Sequence, residues 1–238
     1  MALIAPALLA ADFARLGEAL AMVEAAGCRM VHLDVGDGHF SRDVMLGKPL
    51  VESIRKASKL ELDVHLLIER PERYVNDFVQ AGAHRLAVHP ESTPHLWRTL
   101  DLIRKAGAKA GIALQPGSPL SLVSELLAEV DFLDILTADP ESECDSSERS
   151  RQPDTMVAGV NKLREACRSR EGQGLGFELQ AEGGIGRDNV AKIARAGADI
   201  LVSGFAIFQE GQPAARLKDL IAAANSSVGP VPAKRRGI

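Results

Sequence analysis

Cysteine is scarce in this chain of 238 residues: Cys28, Cys144 and Cys167 are odd in number and widely spaced. That pattern excludes a disulfide framework and zinc-finger spacing, and it suits a reducing, cytoplasmic setting. Cationic excess is lacking too. Lys and Arg total 28 against 32 Asp and Glu, a net charge of −4, so no basic patch argues for nucleic acid. The one basic run, Lys234-Arg235-Arg236, follows Gly229-Pro230-Val231-Pro232 and reads as part of a frayed tail over 226–238. Long apolar runs are also lacking, and none approaches the length of a membrane span. The apolar start over 3–11 has no cationic leader and is interrupted by Pro6, so it reads as a first strand and not as a signal peptide.

What is present is alternation. Apolar runs with strand character cover 4–9, 30–35, 60–66, 85–89, 109–114, 132–136, 176–181 and 200–203. Amphipathic helical stretches follow each, over 13–26, 47–57, 71–81, 94–106, 119–128, 155–169, 187–196 and 214–224. Four of the helix-to-strand junctions share a pattern: Ala26-Gly27-Cys28, Ala81-Gly82-Ala83, Ala106-Gly107-Ala108 and Ala196-Gly197-Ala198. A glycine there can take the left-handed conformation that ends a helix. Eight βα units predict an α/β fold, a single-domain (β/α)8 TIM barrel over 1–225; an open doubly wound sheet is the alternative. Two polar stretches interrupt the rhythm: 139–154, expected after the sixth strand as a solvated loop or a lid, and 169–174. The glycines at 172, 174 and 176 precede a strand instead of opening a helix, which discounts a nucleotide-binding motif.

Three clusters close strand runs: His32-Leu33-Asp34, Asp63-Val64-His65 and Glu182-Gly183-Gly184. Residues two apart on a strand point the same way, so His32 and Asp34 share one face and Asp63 and His65 share another. Two imidazoles and several carboxylates at the ends of different strands suit a divalent-metal site or an acid–base site, and parallel α/β proteins place their chemistry at strand ends. Asp63 is open between ligation and merely orienting His65. His39, His84 and His95 read as surface or packing residues and Cys144 as a solvated thiol; His89 ends the fourth strand and could face the site, with a place outside it the favoured reading.

These segments resemble the ribulose-phosphate 3-epimerase family over about 3–208. The resemblance is carried by Ile4-Ala5-Pro6 with Ala11-Asp12-Phe13, and by His32-Leu33-Asp34-Val35 with Asp37-Gly38-His39-Phe40. It continues in Leu62-Asp63-Val64-His65-Leu66, in Pro71 with Tyr74, in Gly183-Gly184-Ile185 and in Ala206-Ile207-Phe208. It implies one divalent ion (Zn, Fe, Mn or Co) held by His32, Asp34, His65 and Glu182. It implies that Asp34 and Glu182 transfer protons on opposite faces of a sugar phosphate, through an enediolate. Gly183, Gly184, Gly204 and Phe205 would lie at the phosphate, and the chain would be a homo-oligomer.

Several positions depart from the family pattern. Glu182 stands where Asp is usual, and the extra methylene shifts the carboxylate by roughly an ångström. Ala7 stands for a usual Ser, Phe205 for a small polar residue, and Gly36, Leu67 and Leu136 for three usual Met. The glycine-rich loop usual after the sixth strand is replaced by Asp139-Pro140-Glu141-Ser142-Glu143-Cys144-Asp145, acidic and unfavourable beside a phosphate; Arg149 and Arg151 are its nearest bases. Three readings follow: an epimerase of ribulose 5-phosphate, a family member with another sugar, or a non-catalytic barrel. A decarboxylase of the related barrel type is disfavoured, because the third strand lacks its Asp-x-Lys-x-x-Asp pattern.

Overall fold

The apolar runs become eight strands: β1 (Leu3–Pro6), β2 (Met30–Gly36), β3 (Glu61–Leu67), β4 (Arg85–Val88), β5 (Lys109–Leu114), β6 (Phe132–Leu136), β7 (Glu178–Glu182) and β8 (Ile200–Ser203). The computed structural model describes residues 2–138, 153–209 and 211–226. Every pairing is parallel, in the order β1-β8-β7-β6-β5-β4-β3-β2. A single bridge between Ala7 and His32 joins the two ends of that order, so the sheet is a nearly closed barrel, as the alternation predicts. The helices are α1 (Leu16–Ala25), α2 (Lys48–Ala57), α3 (Val75–Ala81), α4 (Leu96–Ala106), α5 (Pro153–Gln173), α6 (Val190–Arg195), α7 (Phe205–Phe208) and α8 (Pro213–Asn225).

Alternation along each strand divides the interior into two environments. Outward residues such as Val31, Leu33, Leu62, Val64, Leu86 and Ile112 pack against Val51, Ile54, Phe78, Leu100, Ile103 and Leu217 of the helices. Burial of each such side chain contributes about 1.5–3 kcal/mol. Inward residues form a second, partly polar set. At its lower end the Phe132 ring is wholly buried beside Gly111, where a β-carbon would lie 2.2 Å from the ring. The Arg85 guanidinium sits 4.0 Å over that ring.

The four Ala-Gly junctions behave alike: Gly27, Gly82, Gly107 and Gly197 all have φ between +84° and +115°. Elsewhere the elements depart from the sequence reading. The first strand stops at Pro6, because Leu8–Ala10 forms a 3₁₀ turn that keeps Leu8 buried; the apolar run continues past the strand for a packing reason. No α-helix forms over 119–128. Two 3₁₀ segments, Leu120–Leu122 and Ser124–Glu129, bury Leu120 and Leu127 instead, and the Ser124 hydroxyl donates to the Ser121 carbonyl. Serines that bond nearby backbone compete with a regular helix. The polar stretch 169–174 is the last turn of α5, running to Gln173, and Gly174 (φ +66°) ends it. Arg170 holds that turn down through Asp199 and the Phe177 carbonyl. Residues 139–152, with Cys144, Arg149 and Arg151, and the expected tail from 227 onward lie outside the described residues. No helix among the described residues is long and apolar enough to cross a membrane.

Candidate metal and proton-transfer site

Strand register assembles the site. In the β2–β3 ladder His32 lies beside Asp63 and Asp34 beside His65. In a closed barrel their two faces are the same interior, so all four side chains converge, and Glu182 joins them from the end of β7. One ligand atom from each of His32, Asp34, His65 and Glu182 lies within 4.8 Å of all the others. Around that cluster imidazole and carboxylate alternate. His32 Nε2 is 3.2 Å from Asp34 Oδ1 and 3.3 Å from Glu182 Oε2, and His65 Nδ1 is 3.4 Å and 3.3 Å from the same two oxygens. Four donors held about 2 Å from a Zn-like ion in a tetrahedron stand about 3.3 Å apart; the four imidazole–carboxylate pairs have that separation, and the two remaining pairs lie within 4.8 Å. His65 Nδ1 and Glu182 Oε2 are buried and make no hydrogen bond, although both point at this centre. The donor set, its spacing and those two orphaned atoms fit a divalent ion.

The electrostatics are those of a cation site. Burial disfavours charge on His32, yet Glu182 and Asp34 outweigh it and hold its pKa well above the ordinary value. Burial likewise opposes charge on His65, and the same carboxylates push its pKa up to about 10. Burial pushes the Glu182 carboxyl up, but the two imidazoles win and hold it well below the carboxylate range. Positive charge is what this cluster favours, whether carried by protons or by a metal.

Behind these four residues lies a buried network. His32 Nδ1 is 2.8 Å from Asp63 Oδ2, so Asp63 orients His32, not His65. Arg85 Nε donates to Asp63 Oδ1 (3.1 Å), and Gln180 Nε2 donates to Asp63 Oδ2 and to Asp134 Oδ2 (2.9 Å each). Asp134 is fully buried, and burial followed by the nearby Glu182 charge raises its pKa well above the carboxylate range. His89 also belongs to this inner set, the less favoured of its two sequence expectations: its Nε2 is 2.8 Å from His65 Nε2. His39 and His95 are exposed, as expected, and His84 lies at the lower rim of the barrel.

A cavity of about 420 Å³ opens above the carboxylates, lined by Asp34, Glu182, Gly183, Gly184, Gly204 and Phe205 among others. Gly183 (φ +102°) lies so close to Ala138 that a β-carbon would sit 2.6 Å from its backbone nitrogen. Asn189, which the sequence reading passed over, braces this turn. Its Nδ2 donates to the Gly184 carbonyl (2.8 Å), and its Oδ1 accepts from the Gly186 N–H (2.9 Å). Gly36, Leu67 and Leu136 do not leave the mouth without thioethers. Met45 reaches to where a β-carbon on Gly36 would lie, and Met156 lines the cavity.

The family model for the ribulose-phosphate 3 epimerase family matches residues 3–208. The chain belongs to the ribulose-phosphate 3-epimerase family. Among individual epimerases, ribulose-phosphate 3-epimerase of Escherichia coli (strain K12) is 38% identical over 209 residues, 87% of this chain and 89% of that protein. The ribulose-phosphate 3-epimerase of Bacillus subtilis (strain 168) is 36% identical over 206 residues, 86% of this chain and 91% of the relative. The barrel also superposes on KGPDC from Streptococcus mutans with a TM-score of 0.68 at 13% identity, covering 96% of this chain and 100% of that one; that likeness concerns the fold. Within the epimerase family pattern, Glu182 keeps its carboxylate in contact with both imidazoles despite the longer side chain.

Proposed function

We infer that the protein is a carbohydrate epimerase that inverts carbon 3 of a ketose phosphate, interconverting ribulose 5-phosphate and xylulose 5-phosphate. The observation that carries this is the alternation of Asp34 and Glu182 with His32 and His65 around one centre at the floor of the cavity. Inverting a carbon beside a ketone needs a base on one face and an acid on the other. One carboxylate of the Asp34–Glu182 pair takes the carbon-3 proton, and the electron pair of the broken C–H bond moves into an enediolate. The other carboxyl, protonated at that moment, returns a proton to carbon 3 from the opposite side. The two exchange roles in the reverse direction, so protons and electrons balance. Through His32, Asp34, His65 and Glu182 the protein would hold a divalent ion, Zn, Fe, Mn or Co, which supplies Lewis-acid stabilisation for charge on the substrate oxygens. Asp63 keeps His32 oriented, and the turns at Gly183-Gly184 and Gly204-Phe205 present backbone amides to the phosphate, at the usual phosphate corner of this barrel.

Deuterium incorporation from solvent tests the reading: ribulose 5-phosphate should gain deuterium at carbon 3 in the presence of the protein and a divalent ion. Exchange with another ketose and none with this one would overturn the substrate, and no exchange with any ketose would overturn the epimerase. We extend the reading to a homo-oligomer on family likeness alone; sedimentation velocity checks it, and a monomer at every concentration overturns it.

A further inference from the structure

His65 and His89 share one short nitrogen–nitrogen contact, and its direction has a consequence for the metal site. The Nε2 atoms are 2.8 Å apart, both side chains are wholly buried, and the ring centroids are 4.9 Å apart. At that separation one nitrogen carries the proton and the other offers a lone pair. The opposite nitrogen of His65, Nδ1, faces Asp34 Oδ1 and Glu182 Oε2 and makes no hydrogen bond. If His65 Nδ1 is to bind a cation it must be bare, so the single proton of the neutral ring sits on Nε2 and is donated to His89. His89 must then accept at Nε2 and keep its own proton on Nδ1, a buried atom that makes no hydrogen bond and lies 3.8 Å from Glu91 Oε2. Glu91 is itself fixed, accepting from the Ser118 hydroxyl. The His89 ring packs against Phe40, with ring centroids 5.1 Å apart, and its backbone carbonyl accepts from the Ser92 hydroxyl (2.8 Å).

We propose that His89 is a positioning residue: by accepting the Nε2 proton of His65 it fixes the tautomer that turns the His65 Nδ1 lone pair toward Asp34 and Glu182. This rests on the metal-site reading given above. The two imidazoles of the site are therefore backed differently, His32 by a carboxylate and His65 by a second imidazole. Partners behind a ligating histidine typically change metal affinity by 10–100-fold when removed.

Zn²⁺ affinity measured by chelator competition on the full chain tests this. His89→Leu removes the acceptor and should weaken Zn²⁺ binding by about 10–100-fold. His89→Gln places an amide oxygen near the lost nitrogen and should recover most of that loss. A parent protein that takes up no Zn²⁺ would overturn the site reading and this inference with it. A parent that binds Zn²⁺, with His89→Leu binding equally tightly, would overturn the role of His89 alone. Nitrogen-15 NMR of the Zn²⁺-loaded parent decides the matter even if the variants fail to fold. A coupling between the two Nε2 atoms, with the proton on His65, supports the inference; a proton on His89 Nε2, or no coupling, overturns it.

Discussion

Glu182 Oε2 stands 3.3 Å from both His32 Nε2 and His65 Nδ1, which makes the longer side chain a fitted one. Glu182→Asp withdraws the carboxylate by roughly an ångström, a misplacement that can cost on the order of a hundredfold in rate. Solvent-isotope exchange should fall by about that factor, and a variant as fast as the parent would show that the backbone adjusts. Asp34→Asn keeps the shape and loses the base, so exchange should vanish; retained exchange would remove Asp34 from the chemistry. Arg85 lies deeper, 1% exposed, with Asp63 and Glu178 on its guanidinium. Arg85→Met leaves Asp63 without its cation, and breaking a buried pair this way costs about 3–5 kcal/mol. Urea denaturation should show a loss of that size, and an unchanged midpoint would mean that His32 and Gln180 suffice. The four proposed ligands were legible because each lies at or near the end of an apolar run, two residues from another polar group. Asp134 carried a signal that went unused, a lone charge inside the run Phe132–Leu136. His89 carried the same strand-end signal, outweighed there by the packing reading; Arg85 carried none, since its role depends on the register with Asp63 on the neighbouring strand and on β7 lying opposite across the barrel.

Elements were read most securely where a local rule acts on a single position. The Ala-Gly junctions are such a case, since a positive φ is a property of one residue. The 119–128 stretch was misread because apolar spacing of three and four residues serves 3₁₀ turns as well as an α-helix. His84 shows a strand junction governed by a side chain. Its Nδ1 accepts the Leu62 N–H (3.1 Å), tying the approach of β4 to β3. Burial, then Arg55, lowers its pKa below the ordinary 6.5. The unfolded chain therefore binds a proton first as pH falls. The stability that His84 contributes is present above pH 6.5 and is lost as pH drops through its folded pKa. His84→Asn keeps an acceptor and has no titration. The urea midpoint of the parent should fall between about pH 7 and pH 5 by more than that of His84→Asn; parallel pH profiles would remove His84 as the source.

For the whole molecule the weak place is the seam. Seven strand pairs form ladders, whereas β1 and β2 meet, among the described residues, at the single bridge Ala7–His32. The proposed ligands straddle that seam. His32 and Asp34 stand on β2 and His65 on β3, on one side; Glu182 stands on β7, which reaches the seam from the other side through β8 and β1. A divalent ion at the centre of the four would therefore be a cross-link over the one unlaced edge of the barrel. Binding to the folded state alone stabilises by about 2.7 kcal/mol when free ion exceeds its dissociation constant a hundredfold. Removal of metal should lower the unfolding temperature accordingly, and the loss should be local before it is global. Amide hydrogen exchange in β1 and β2 should accelerate more than exchange in β5, which is laddered on both sides and carries none of the four proposed ligands. Equal acceleration in every strand would mean that the ion stabilises the barrel without lacing the seam. No change on chelation would mean that no ion spans the mouth, and the functional reading built on one would fall with it.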